Sequence, residues 1–89
     1  MSYSVSIRSS LDSKLQKLSK RNKKLVDIIK KKVEEIVKNP QHYKNLRAPL
    51  QDLKRVHIDR HFVLTFSVDE STKTITLEDF DHHDSIYKA

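Results

Sequence analysis

Two adjacent imidazoles, His82 and His83, stand between two carboxylates in Phe80-Asp81-His82-His83-Asp84-Ser85-Ile86-Tyr87, and a phenol follows four residues after the second ring. Imidazole titrates nearest neutrality, at about pH 6.5 when unperturbed, so either ring can take or give a proton during a reaction. The Tyr87 hydroxyl adds a polarising donor. Asp-His-His-Asp also invites a metal reading. Adjacent residues of an extended chain point to opposite sides, however, so His82 and His83 would rarely share an ion. The i, i+4 pair that makes helical zinc sites persuasive is also missing. A pair of surface histidines in a polar tail is the bland alternative. Arg55 and His57, two residues apart in Arg55-Val56-His57-Ile58, add weight to the catalytic reading.

The elements that must position these groups follow from composition and periodicity. At 89 residues the chain is one domain, and 36% hydrophobic content permits only a modest core. Cysteine is absent, which excludes disulfides, thiolate metal ligands and a Cys nucleophile. Glycine is absent too, so there is no phosphate-cradling Gly-rich loop and no strained elbow around Ser85. The N-terminal residues lack a basic, then apolar, leader pattern, and no run approaches a spanning helix. A soluble, cytoplasmic protein with no membrane partner is the expectation.

Net charge is +6 and unevenly placed: residues 14–38 carry ten Lys/Arg against three acids, and residues 69–89 carry six acids against two Lys. A basic body suits a polyanionic partner. The competing reading is an ordinary solvated face.

Tyr3, Val5 and Ile7 alternate with polar residues and read as a first strand. Ser9 or Ser10 is placed to cap a helix whose apolar stripe is Leu11, Leu15 and Leu18. The Lys-Arg-Asn-Lys-Lys run at 20–24 breaks that stripe, with Ser19 or Asn22 as the next cap. Leu25, Ile28, Ile29, Val33, Ile36 and Val37 then repeat at 3.6 residues, and Asn39-Pro40 ends the second helix. A loop spans 41–52. Strands follow over 53–58, over the alternating Phe62, Leu64, Phe66 and Val68, and over 74–80, joined by short turns that favour an antiparallel meander. The fold class is α+β, an N-terminal strand and helical hairpin packed on one face of a small antiparallel sheet. Alternation sends Val56 and Ile58 toward the helices and Arg55, His57 and Asp59 to the other face, with Val63, Thr65, Ser67, Thr74, Thr76 and Glu78. That face is expected to be polar and uncovered by helices, with the 81–87 segment beside it and Arg55, His57, His83 and Tyr87 around one groove.

Such a groove suits phosphodiester chemistry. Cleavage of RNA by its own 2′-OH needs a base for the 2′ proton, a cation for the charge on phosphorus and an acid for the departing 5′ oxygen. His, Arg and Tyr cover these roles without metal or cofactor. His82 or His83 could instead stack on an unpaired base, and helix lysines would add sequence-blind phosphate contacts. A helix-turn-helix DNA reader fits less well, because Lys is spread over both helices.

The order of these pieces resembles the RelE/ParE toxin superfamily of toxin–antitoxin systems over nearly the whole chain. The Lys-rich hairpin ends in Lys38-Asn39-Pro40. Leu46-Arg47-Ala48-Pro49-Leu50-Gln51-Asp52-Leu53 follows, then Arg55-Val56-His57-Ile58, then Phe62-Val63-Leu64-Thr65-Phe66-Ser67-Val68-Asp69. The close, Asp81-His82-His83-Asp84-Ser85-Ile86-Tyr87, looks like the family's His-Arg-x-x-x-Tyr ending. Two family arginines are replaced, by Val63 and His83, and the C-terminal helix of some relatives is not expected.

The resemblance implies an mRNA-cleaving toxin acting in the ribosomal A site. Its catalytic set would be Arg55, His57, His82, His83 and Tyr87, and Arg47, Lys54, Arg60 and His61 would contact RNA. It implies no cofactor. The partners it implies are a cognate RelB-like antitoxin, mRNA and the ribosome. Alternatives are a ParE-like, non-enzymatic inhibitor of a protein target such as gyrase, or a catalytically inactive nucleic-acid-binding member.

Overall fold

The computed structural model describes residues 3–46 and 52–87, with the backbone alone described for Asp84 and Tyr87. The element order is β1 (Ser4–Ile7), α1 (Ser9–Arg21), α2 (Lys23–Lys38), a 3-10 turn (Pro40–His42), β2 (Lys54–Ile58), β3 (Phe62–Asp69), β4 (Thr74–His82) and α3 (His83–Tyr87). The sheet order is β1-β4-β3-β2. β2, β3 and β4 form the antiparallel meander, and β1 returns to pair parallel with β4. The result is an α+β fold with the helical hairpin on one face of a mostly antiparallel sheet.

The two helices form for the reasons their periodicity gives. Leu11, Leu25, Ile29 and Ile36 are buried with Val56, Ile58, Leu64, Phe66, Ile75, Leu77 and Phe80, and Leu15, Leu18, Ile28, Val33 and Val37 pack around them. Burying one such side chain is worth about 1.5–3 kcal/mol, which holds a helix whose outer face is largely lysine. Asn22 alone joins the helices. Its N–H donates to the Leu18 carbonyl at 2.7 Å, closing α1, and its Oδ1 accepts from the Leu25 N–H at 3.1 Å, opening α2. The start of α1 differs from expectation. Arg8, with no side-chain cap, occupies the N-cap position, and Ser9 and Ser10 lie inside the helix. The Arg8 N–H is still bonded to the Leu77 carbonyl, at 3.1 Å, so the strand pairing runs up to the helix and leaves neither serine a place to cap.

Two departures reshape the sheet's far side. Thr65 pairs with Asp79 but Phe66 with Leu77, so Glu78 is the extra residue of a β-bulge. The alternation of β4 reverses there. Phe80 turns into the core, and Asp79 and Asp81 move to the opposite face, beside Thr65 and Val63. Second, that face is not bare. Val63 and Thr65 are 0% and 2% exposed, and α3 packs on β3 and β4. Leu46, Leu53 and Ile86 line a cavity with Thr65. The expectation of a helix-free outer face therefore fails at its centre. So does that of a helix-free C-terminal segment, because five residues, His83–Tyr87, turn back over the sheet. The face stays open where His57 projects, at the end of β2.

Candidate active site

His57 reaches the surface because its neighbours cannot. Val56 and Ile58 are buried in the core, so period-2 alternation turns the imidazole outward. It sits in register with Val63, which pairs in turn with Asp81. The ladder runs to the end of the sheet, where the His83 N–H donates to the His61 carbonyl at 2.8 Å. That bond fixes the point at which β4 becomes α3. The first ring of α3, His83, comes back over the open face and stacks on His57, with centroids 5.7 Å apart and planes at 24°. Two imidazoles distant in sequence are thereby placed side by side.

His82 goes the other way. The bulge puts it on the helix side, where its ring lies 4.6 Å from that of Phe62, itself stacked on Phe80 at 5.1 Å. A shallow cavity of about 320 Å³ wraps the end of the sheet and is lined by His57, Arg60, His61, His82 and His83. Arg60 and His61 come from the β2–β3 turn, which Asp59 enters with φ 56°, a left-handed conformation that Asp tolerates better than most residues. Among the described residues, no group of three His, Cys, Asp or Glu is placed to hold a metal ion.

The structure thus gathers five of the expected site residues. Arg55 shares the His57 face but is half-buried one row along, opposite Thr65, and does not line the cavity. Lys54 is engaged elsewhere: its Nζ donates to the Tyr43 carbonyl at 3.1 Å and to Asn45 Oδ1 at 3.0 Å. Arg47 and the Tyr87 side chain lie outside what is described.

A lysine of the helical hairpin also takes part. Lys14 of α1 reaches β4 where β1 no longer covers it. Its Nζ donates to Asp79 Oδ1 at 2.9 Å and to the Phe80 carbonyl at 3.0 Å, and lies 3.4 Å from Asp81 Oδ2. Partial burial alone would lower the Lys14 pKa, but the Asp79 hydrogen bond and the charges of Asp79 and Asp81 outweigh it, and the net shift is upward. The Asp81 carboxyl is held below the usual carboxylate range, first by the His82 N–H that it accepts and then by the Lys14 charge. The strand end that delivers His82 and His83 is thus fastened to α1 by a satisfied ion cluster. Nothing in the local sequence marks Lys14, since its partners lie more than 60 residues away.

The comparisons agree with this architecture. The family described as "ParE toxin of type II toxin-antitoxin system, parDE" matches residues 5–87. A Methanocaldococcus jannaschii protein named "Putative toxin RelE4" is 64% identical over 86 residues, 97% of this chain and 92% of its own. Among solved structures, the RelBE2 toxin–antitoxin complex of Mycobacterium tuberculosis contains a chain that superposes with a TM-score of 0.76 at 19% identity, over 93% of this chain and 100% of that one. A YoeB/ParE toxin from Agrobacterium tumefaciens gives 0.80 at 11% identity, over 90% and 98%. At these identities the solved structures speak for the fold, and the sequence matches speak for the family. The chain belongs to the ParE toxin family of type II toxin–antitoxin systems, in the RelE/ParE group that its motif order resembles.

Proposed function

We propose that this toxin is a metal-independent endoribonuclease that cleaves mRNA, in association with the ribosome, and so inhibits translation. The observation that carries this reading is the His57–His83 stack at a cavity that also holds Arg60 and His61. One imidazole takes the proton of the 2′-OH, whose oxygen attacks the adjacent phosphorus. The Arg60 guanidinium stabilises the added charge there. The P–O5′ bond breaks, and the second imidazole protonates the departing oxygen. The products are a 2′,3′-cyclic phosphate and a 5′-hydroxyl. Arg60 takes the phosphate role expected of Arg55, because it is Arg60 that lines the cavity. Tyr87 keeps the orienting role that the family ending implies. A cognate antitoxin, as in the RelBE2 complex, is the natural inhibitor of such an activity, and its acidic or amphipathic segments would be drawn to the basic body.

Mapping the ends of mRNA fragments formed with purified ribosomes tests the reading. Cyclic phosphate ends that survive chelation support it, and intact mRNA refutes it. A second reading, inhibition of a protein target such as gyrase, is favoured by the description of the matching family, which names parDE. It predicts intact mRNA together with loss of DNA supercoiling.

A further inference from the structure

Lys14, Lys17 and Arg21 follow one another at i, i+3 and i+7, a stripe on α1 beside the apolar stripe of Leu11, Leu15 and Leu18. Lys14 is committed to Asp79 and Asp81. Lys17 and Arg21 are exposed and form no ion pair within the described residues. They line a cleft of about 270 Å³ whose other wall carries Phe62 and Phe80. The same Phe62 ring supports His82, which lines the histidine cavity around the corner. Phe80, Phe62 and His82 therefore form an aromatic ladder running from the core to the sheet end, with cationic side chains along one flank and the candidate active site at its tip.

This composition has a specific chemical reading. A solvated lysine face needs no aromatic wall, and a core aromatic pair needs no exposed imidazole set at 41° against its outer member. Flat rings beside unpaired cations are what a single-stranded nucleic acid recognises. Each unpaired base offers a face to stack on, and each phosphate offers a charge. The Asp81 carboxylate in the cleft does not repel such a strand strongly, because Lys14 already pairs with it.

We propose that the Phe62–His82 platform and the Lys17–Arg21 flank form a subsite for the single-stranded RNA next to the scissile bond. An unpaired base rests on His82, which Phe62 backs, and its neighbouring phosphates meet Lys17 and Arg21. His82 is thereby a stacking residue, separate in role from the His57–His83 pair on the other side of the sheet. This inference rests on the endoribonuclease reading and adds to it the path that the strand takes.

The test uses the full chain and a 2′-O-methyl RNA oligonucleotide, which binds but cannot cleave itself. Affinity is measured over a salt series, with ribosome-supported mRNA cleavage assayed in parallel on the wild type. The Lys17→Ala/Arg21→Ala double variant should weaken binding and flatten the slope of log K against log salt by about 1.4, two phosphates at about 0.7 each. His82→Ala should weaken binding about five- to a hundred-fold, the range for losing one stacked base, and His82→Phe should restore it. All these side chains are exposed, so the thermal melt of each variant should match the wild type. Wild-type affinity and slope in both alanine variants would overturn the subsite. So would His82→Phe failing as badly as His82→Ala, or binding of an acidic polypeptide, and not RNA, through the same residues. If the wild type cleaves mRNA on ribosomes but does not bind the oligonucleotide, the subsite falls and the nuclease reading stands. If it binds through these residues but cleaves nothing, the nuclease reading falls and the cleft remains a nucleic-acid site.

Discussion

One residue decides which side of the strand end His82 faces. Without the bulge at Glu78, strict alternation would carry Asp79 and Asp81 under the helices and leave Phe80 in solvent. The inserted residue reverses this, buries Phe80, and puts His82 on the helix side of the strand end. The sequence shows the histidine pair plainly but not the bulge, because an extra residue in a strand leaves no local signature when neither partner is glycine. Lys14 is equally silent in sequence, and it carries a pH prediction. The raised Lys14 pKa means that its contribution to stability is complete below the ordinary lysine value, about 10.4, and is lost as pH rises through the folded value. The lowered Asp81 pKa means that its contribution is complete above about 3.9 and is lost as pH falls through the folded value. Lys14→Met should therefore lower the urea midpoint most between about pH 5 and 9 and converge toward the wild type below pH 4. Some acid sensitivity will persist, since the His82 N–H to Asp81 bond is untouched. Both side chains are 42% exposed, so the effect is small and should shrink further in salt. A midpoint difference that stays constant from pH 3 to 9 would contradict a stabilising role for the Lys14–Asp79–Asp81 cluster.

At the scale of elements, most of the scaffold was legible. The apolar stripes at Leu11, Leu15, Leu18 and at Leu25 through Val37 are those of the buried helix faces, and Asn22, one of two candidates, is the cap. Replacing it with Ala should cost about 1 kcal/mol in a chemical-denaturation measurement, with the loss divided between the helix it ends and the helix it begins. The turns show how a chain without glycine manages left-handed backbone. Asp59 and Lys73 take φ values of 56° and 53°. In the second turn, Asp69 Oδ1 accepts from the Ser71 N–H at 2.9 Å and the Thr72 N–H at 3.3 Å, which holds the chain bent up to Lys73. In the first, Asp59→Gly should be tolerated, whereas Asp59→Val should destabilise by about 1–2 kcal/mol, because a β-branched side chain resists that region. The same change should impair cleavage, since the turn carries Arg60 and His61 into the cavity; equal melting temperatures for the two variants would contradict it. What pattern could not supply was α3 and the cover that it gives to Val63 and Thr65. Five residues are too few for a helical period, and Leu46, Leu53 and Ile86 are too far apart in sequence to read as one patch.

The whole molecule is a small core under a basic shell. A radius of gyration of 12.5 Å is what a chain of this length reaches when fully compact. Its interior depends on few side chains, among them Ile36 at 0% exposure between the helices and the sheet. Ile36→Ala should cost about 2–5 kcal/mol, a large share of the stability of so small a domain, and should show as a sharply lower melting temperature. The sheet end that bears His57, Arg60, His61, His82 and His83 lies at the tip of the meander, outside that core, so the site can be altered without unfolding the molecule. That separation allows the central claim, acid–base cleavage of mRNA by the His57–His83 pair, to be put to a single measurement. Single-turnover cleavage of ribosome-bound mRNA should be followed across pH 5–9 for the wild type, for His57→Ala, for His83→Ala and for the double variant. Each single variant should lose about 10²–10⁴-fold in rate. The double should be little worse than the singles, because the two rings act as a unit. Cleavage at the full wild-type rate in the correctly folded double variant would contradict it.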